Sequence, residues 1–222
     1  MSLWRFTDNC RKYGLALLVL SALVLAGCAT GPGSKRVSGT KDVRTGPDGR
    51  LIGTREVPPK AQTLYEQAVA AMAAGDFIDA ELRFQEFLLR YPDYPGGHVN
   101  LAIIFAGRGD DKAVEDSLTD ALILDPEHPV ALNQLGMLLR RQGKFLEAES
   151  AYLKAVTASP GYALAHYNLG VLNDLYLRRL DAALQHYERY QALAGEDKQV
   201  TKWIVDLKRR IGVAQRTANV TE

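Results

Sequence analysis

From Ala61 to residue 196, apolar residues recur in a 34-residue register. With units opening at Ala61, Pro95, Pro129 and Ala163, the eighth position reads Ala68, Ala102, Gly136 and Gly170, all small. The seventh reads Gln67, Leu101, Leu135 and Leu169, and the eleventh Ala71, Phe105, Leu139 and Asn173. The twenty-fourth reads Phe84, Leu118 and Tyr152, with Tyr187 one place late. Gly75, Gly109 and Gly143 hold the fifteenth position, and Pro92, Pro126 and Pro160 fall 34 residues apart. This pattern predicts two antiparallel helices per unit. The small residues let the helices approach, glycine ends the first helix at positive φ, and the large residues fill the gap to the next unit. The units are 61–94, 95–128, 129–162 and 163–196. The second is imperfect, with Ala113 one residue early and Val114 in the usual alanine place. The fourth lacks the glycine, carries one extra residue between Asn173 and Asp181, and has Ala194 in place of the proline. Beyond Gly195, the spacing of Val200, Trp203, Ile204, Leu207 and Ile211 predicts an amphipathic helix over 197–213, suited to cap such an array, then a polar tail, 214–222.

The amino terminus follows another pattern. Arg5, Arg11 and Lys12 precede an apolar run from Leu15 to Leu25, the layout of a secretory signal. The run has 11 residues, whereas a membrane-spanning helix needs about 20. The string Leu25-Ala26-Gly27-Cys28 then resembles a bacterial lipobox. That resemblance implies removal of residues 1–27, a cut between Gly27 and Cys28, a diacylglycerol on the Cys28 thiol and an acyl chain on the new amine. The competing reading is a transmembrane anchor followed by a chance cysteine. Residues 28–60 read as a flexible linker dense in glycine and proline. Within it, Gly39-Thr40-Lys41-Asp42-Val43 is echoed by Gly53-Thr54-Arg55-Glu56-Val57, with the turn sequence Thr45-Gly46-Pro47-Asp48-Gly49 between. The two arms read as disordered by default, as a hairpin, or as two copies of a docking peptide.

Charge sharpens the division. Residues 29–60 carry seven Lys and Arg against three Asp and Glu, while 61–222 carry 17 against 22. A basic tether therefore joins an acidic body, and the interleaved acids favour a solvated linker over one held on anionic lipid. Of the two cysteines, Cys10 lies in the signal and Cys28 at the lipid site, so no pair remains for a disulfide.

The 34-residue register and the lipobox together make the chain similar to the tetratricopeptide-repeat lipoproteins of Gram-negative envelopes. The resemblance implies an all-α, right-handed superhelical solenoid of about four helix pairs plus a capping helix. It also implies a concave groove that holds a partner segment, and work as an adaptor for pilus, secretion, energy-transducing or cell-wall machines. Ala29 after the lipidated cysteine suggests the outer membrane, facing the periplasm. No cofactor is expected beyond the covalent lipid on Cys28.

In this family the second, fifth, ninth, twelfth and thirteenth positions face the concave side. The ninth reads Val69, Ile103, Met137 and Val171, an apolar column in register. The fifth brings Tyr65, Val99, Asn133 and Tyr167, and the twelfth Met72, Ala106, Arg140 and Asp174. The implied partner surface is Tyr65, Val69, Ile103, Asn133, Met137, Arg140, Tyr167 and Val171. A helix or extended peptide with apolar anchors would suit it. The competing readings are that the column packs internally or is covered by the chain's own Leu51–Val57. The partner is an unidentified envelope protein; alternatives are a homo-oligomeric spacer and an accessory to a peptidoglycan-processing enzyme. No hydrolase, metalloprotease, P-loop or dinucleotide motif occurs, so no catalytic residue is assigned. His98 and His166 share a repeat position two units apart, too distant for one metal. Lys202, Lys208, Arg209 and Arg210 suit the end of the capping helix better than nucleic acid, given the acidic body.

Overall fold

A computed structural model describes residues 43–45, 51–53 and 57–220. The signal segment, Cys28 and most of the linker lie outside them. The described elements belong to one unit, Val37–Glu222. Helices run in antiparallel pairs: α1 (Pro59–Ala73) with α2 (Phe77–Arg90), α3 (Pro95–Arg108) with α4 (Asp111–Leu124), and α5 (Pro129–Arg141) with α6 (Phe145–Ala158). α7 (Ala163–Leu172) continues as a π-helical segment, Asn173–Leu177, and pairs with α8 (Leu180–Ala194). α9 (Lys198–Val220) packs on α8. This is the all-α repeat solenoid expected from the register.

Local chemistry sets the boundaries. Pro59, Pro95 and Pro129 open their helices, where the missing N–H is no loss. Asp76 and Asp110 each accept a hydrogen bond at 3.0 Å from the backbone N–H three residues on. Gly75, Gly109 and Gly143 all take φ between 75° and 80°. In the fourth unit the extra residue is absorbed by the π-helical segment, a one-residue insertion into the helix. Arg178 closes it at φ 58°, doing without a glycine what the glycines do elsewhere. α9 runs on to Val220, past the apolar stripe that ends at Ile211, because residues 213–220 contain no glycine or proline to stop it.

The close approach within each pair is matched by residue size. A Cβ on Gly136 would lie 2.5 Å from the Tyr152 ring, and one on Gly170 would lie 2.5 Å from Tyr187. Where the small residue is Ala68 or Ala102, the large residue of the same unit is Phe84 or Leu118 instead. All four large residues are fully buried. Aromatic clusters mark the two ends. Tyr65, Phe84, Phe87 and Tyr94 pack edge to face at 5.4–5.7 Å in the first pair. Tyr167, Tyr187, Tyr190 and Trp203 pack together where α9 covers the last pair.

Within the linker, β1 (Val43–Thr45) pairs antiparallel with β2 (Leu51–Gly53), Val43 opposite Gly53. The hairpin reading of the arms thus corresponds to a short ribbon, in which the first echo ends and the second begins. β1 lies beside α3, and Val57 packs on the Tyr65 cluster.

Candidate partner-binding groove

The first helices of successive pairs form one layer, since α3 meets α5 and α5 meets α7 directly. Two side-chain ladders stitch it. Asn100 Nδ2 donates to Tyr65 Oη at 2.7 Å, and Asn168 Nδ2 donates to Asn133 Oδ1 at 2.9 Å. Each bond links the fifth position of one unit to the sixth of the next. Tyr65 is only 2% exposed, and Asn133 is equally buried and donates to Met137 Sδ at 3.8 Å. Both residues, assigned to the partner surface from the sequence, serve the stacking of the layer. Asn100 and Asn168 were not singled out from the sequence, although polar residues run in register through their position as Glu66, Asn100, Gln134 and Asn168.

The ninth-position column divides. Val69, Ile103 and Met137 are half-buried, each packed against the core cluster of its own unit while remaining partly exposed. Val171 is buried in the α8–α9 cluster, and Tyr167 is half-buried with its ring 5.3 Å from Tyr190 and 6.1 Å from Trp203. The carboxyl-terminal end of the column is thus occupied by the chain's own cap. Asp174 is tied to that cap as well, accepting from Arg210 at 2.7 Å.

Ion pairs join several of the helices. Arg141 reaches Asp111 at 2.6 Å, Arg108 reaches Glu81 at 2.5 Å, and Lys208 reaches Glu188 at 2.8 Å. Arg140 is half-buried, and its Cζ stands 6.0 Å from the centre of the Tyr176 ring. Burial pushes the nearby Tyr152 phenol up to about 12, against the opposing pull of Arg140.

The histidines have structural partners. His128 is buried, and its Nδ1 accepts from the Ala131 N–H at 3.2 Å. His98 faces Asp120 at 3.7 Å. His166 Nδ1 lies 3.3 Å from His186 Nδ1, and His166 Nε2 lies 3.3 Å from the Pro160 carbonyl. A carbonyl only accepts, so His166 Nε2 carries the proton, and His186 Nδ1–H donates to His166 Nδ1. Burial lowers the pKa of both rings below the ordinary 6.5; Arg189 adds to this at His166, and His166 at His186, while Glu149 opposes at His186. The native pair resists protonation while the unfolded chain takes up protons at the usual value, so stability is full above 6.5 and falls as pH drops below it. Urea unfolding at about pH 7.5 and about pH 5.5 will show this loss, and His186→Gln will shrink it. Equal losses in both proteins would contradict the assignment. Among the described residues, no group of three or more His, Cys, Asp or Glu is placed to hold a metal, and no helix is long and apolar enough to cross a membrane.

Comparison with known proteins agrees with this geometry. A profile of the tetratricopeptide repeat matches residues 65–129 and again 133–198. The chain is 43% identical over 128 residues to the probable UDP-N-acetylglucosamine–peptide N-acetylglucosaminyltransferase SPINDLY of Arabidopsis thaliana, a match covering 57% of this chain and 14% of that one. It is 26% identical over 129 residues to the photosystem I assembly protein Ycf3 of Prochlorococcus marinus (strain MIT 9312), covering 50% of this chain and 75% of that one. The curated relatives matched first are far longer, with 7% and 14% of their lengths spanned. The solved structure of Pseudomonas aeruginosa PilF superposes with a TM-score of 0.61 at 23% identity, covering 71% of this chain and 72% of that one, a likeness of fold. Arrays of this kind are scaffolds for protein–protein interaction. With both halves of its helical body matched by the repeat profile, the chain belongs to the tetratricopeptide-repeat family.

Proposed function

We propose that the chain is a lipid-anchored adaptor of the bacterial envelope that collects one partner protein by a segment laid in its concave groove. The observation that carries this reading is the register of Val69, Ile103 and Met137, half-buried on three successive first helices. Apolar surface kept open in register at successive repeats suits a partner with evenly spaced apolar anchors. The anchor rests on Leu25-Ala26-Gly27-Cys28, outside the described residues, which supports attachment at Cys28 and an outer-membrane, periplasm-facing address. That a relative bears the name of an assembly protein is in keeping with an adaptor.

Crosslinking in intact envelopes, with affinity recovery and mass spectrometry, tests the groove. The wild-type chain will enrich one envelope protein, and a folded Met137→Glu chain will lose it, because a carboxylate would be desolvated on the apolar column. Unchanged recovery by the folded variant would sink the reading.

A second reading has its own observation. On α2, Ile78, Leu82 and Leu89 fall on one outward stripe and are 71%, 60% and 85% exposed. Such a stripe suits contact between copies in a homo-oligomeric spacer. Sedimentation at micromolar concentration separates the two readings, since a strictly monomeric chain speaks against the spacer.

A further inference from the structure

We infer that the edge of the array formed by the turns of the third and fourth units is a contact face for an anionic lipid surface, its apolar side chains entering the interface and its cations meeting the head groups. This rests on the anchor reading above, because the anchor is what holds the chain at such a surface.

The turns inside successive pairs lie side by side along one edge. Arg108 of the second turn donates to the Phe77 carbonyl beside the first at 3.4 Å. Arg141 of the third reaches Asp111 of the second, and the Phe145 ring packs on Tyr176 of the π-helical segment at 4.6 Å. Charge changes sign along this edge. The first turn carries Asp76 and Asp79 and no cation. The second carries Asp110 and Asp111, and its Arg108 and Lys112 are paired with Glu81 and Asp116. The third carries Arg140, Arg141 and Lys144, and the fourth Arg178 and Arg179. Arg141 and Arg179 are paired with Asp111 and Glu149, but Lys144 and Arg178 are exposed and have no carboxylate partner among the described residues. The exposed acids at this end, Glu147 and Asp181, stand inside the first turns of α6 and α8.

Apolar side chains are interleaved with these cations. Leu146 is 65% exposed, Leu175 61% and Tyr176 43%. Leu175 and Tyr176 belong to the π-helical segment, the insertion that sets the fourth unit apart, and Arg140 stands over the Tyr176 ring. Leucine and tyrosine among cations, presented on turns, match the boundary between water and lipid. There rings and aliphatic groups enter the acyl margin while Lys and Arg stay with the phosphates. Each cation beside an anionic leaflet adds attraction. Residues 61–222 carry 17 Lys and Arg against 22 Asp and Glu, so the remaining faces are repelled and the orientation follows from charge.

Benzoylphenylalanine replaces Leu175, or Ile123 at the far end of α4, which is 72% exposed. The full chains are extracted from envelopes and reconstituted in vesicles of phosphatidylcholine, alone or mixed with phosphatidylglycerol. Flotation through high salt tests the anchor. Irradiation at low salt, read by mass spectrometry, then tests the edge. In the mixed vesicles position 175 will carry about tenfold more lipid adducts than position 123, and most will vanish without phosphatidylglycerol. Lys144→Gln combined with Arg178→Asn will cut the adducts about tenfold with helical circular dichroism unchanged. Asparagine tolerates the left-handed backbone that Arg178 adopts. Chains that float but give equal adducts at both positions, or adducts indifferent to phosphatidylglycerol and to the double variant, would overturn the contact face and leave the anchor standing. Chains that do not float would overturn the anchor, and the face with it. Adducts from position 175 to a protein in intact envelopes, with none to lipid, would assign the edge to a protein partner instead.

Discussion

Gly136→Val will destabilise the third helix pair by about 3 kcal/mol, read as a lower urea midpoint. The position has no room. A Cβ there would stand 2.5, 2.6 and 2.8 Å from three atoms of the Tyr152 ring, and that ring is fully buried between α5 and α6. Neither partner can swing aside, because Gly136 is backbone in mid-helix and Tyr152 is enclosed. The size matching along the array supplies the rescue. The second pair tolerates Ala102 because its large residue is Leu118. Gly136→Ala combined with Tyr152→Leu copies that arrangement and will recover most of what Gly136→Ala alone loses. If the double variant is no more stable than the single, the ring contact is not the source of the loss.

Tyr187→Ala will cost about 3–5 kcal/mol, and the loss will be local. Its ring fills the space left by Gly170, packs 5.5 Å from Trp203 of the cap, and is fully buried. Removing it opens a cavity where three helices meet. Burial raises the Tyr187 phenol well above its ordinary range, with Asp174 adding to the effect, so the hydroxyl stays neutral. Each repeat contacts its neighbours alone, so a lesion at one end need not propagate. We expect Trp203 fluorescence to change at lower urea than the helical circular dichroism, two transitions where the wild type shows one. A single coincident transition in the variant would mean that the array unfolds as one unit.

The repeat was legible because its constraints are local and periodic. A small residue facing a large one, and a glycine at φ near 75°, leave the same mark every 34 residues. The extra residue in the fourth unit could be counted from the sequence, but not its resolution as a π-helical segment closed by Arg178. That outcome depends on whether α7 or the loop after it yields. The groove was legible only by position. The family resemblance implied that Tyr65, Asn133 and Tyr167 face the concave side; what engages them instead is Asn100, Asn168 and Trp203, which come from the next repeat or the cap. The His166–His186 contact was hidden for a similar reason. The one-residue shift in the fourth unit moves His186 out of the common register, so repeat positions could not pair it with His166.

The most direct test of the groove places a photoreactive benzoylphenylalanine at position 103, on the concave column, or at position 89, on the outward stripe of α2. Both full-length chains are irradiated in intact envelopes, and the adducts are mapped by mass spectrometry. Our account predicts one heterologous protein joined at position 103, through a short segment, and no comparable adduct at position 89. Adducts confined to position 89, joining two copies of this chain, would contradict it.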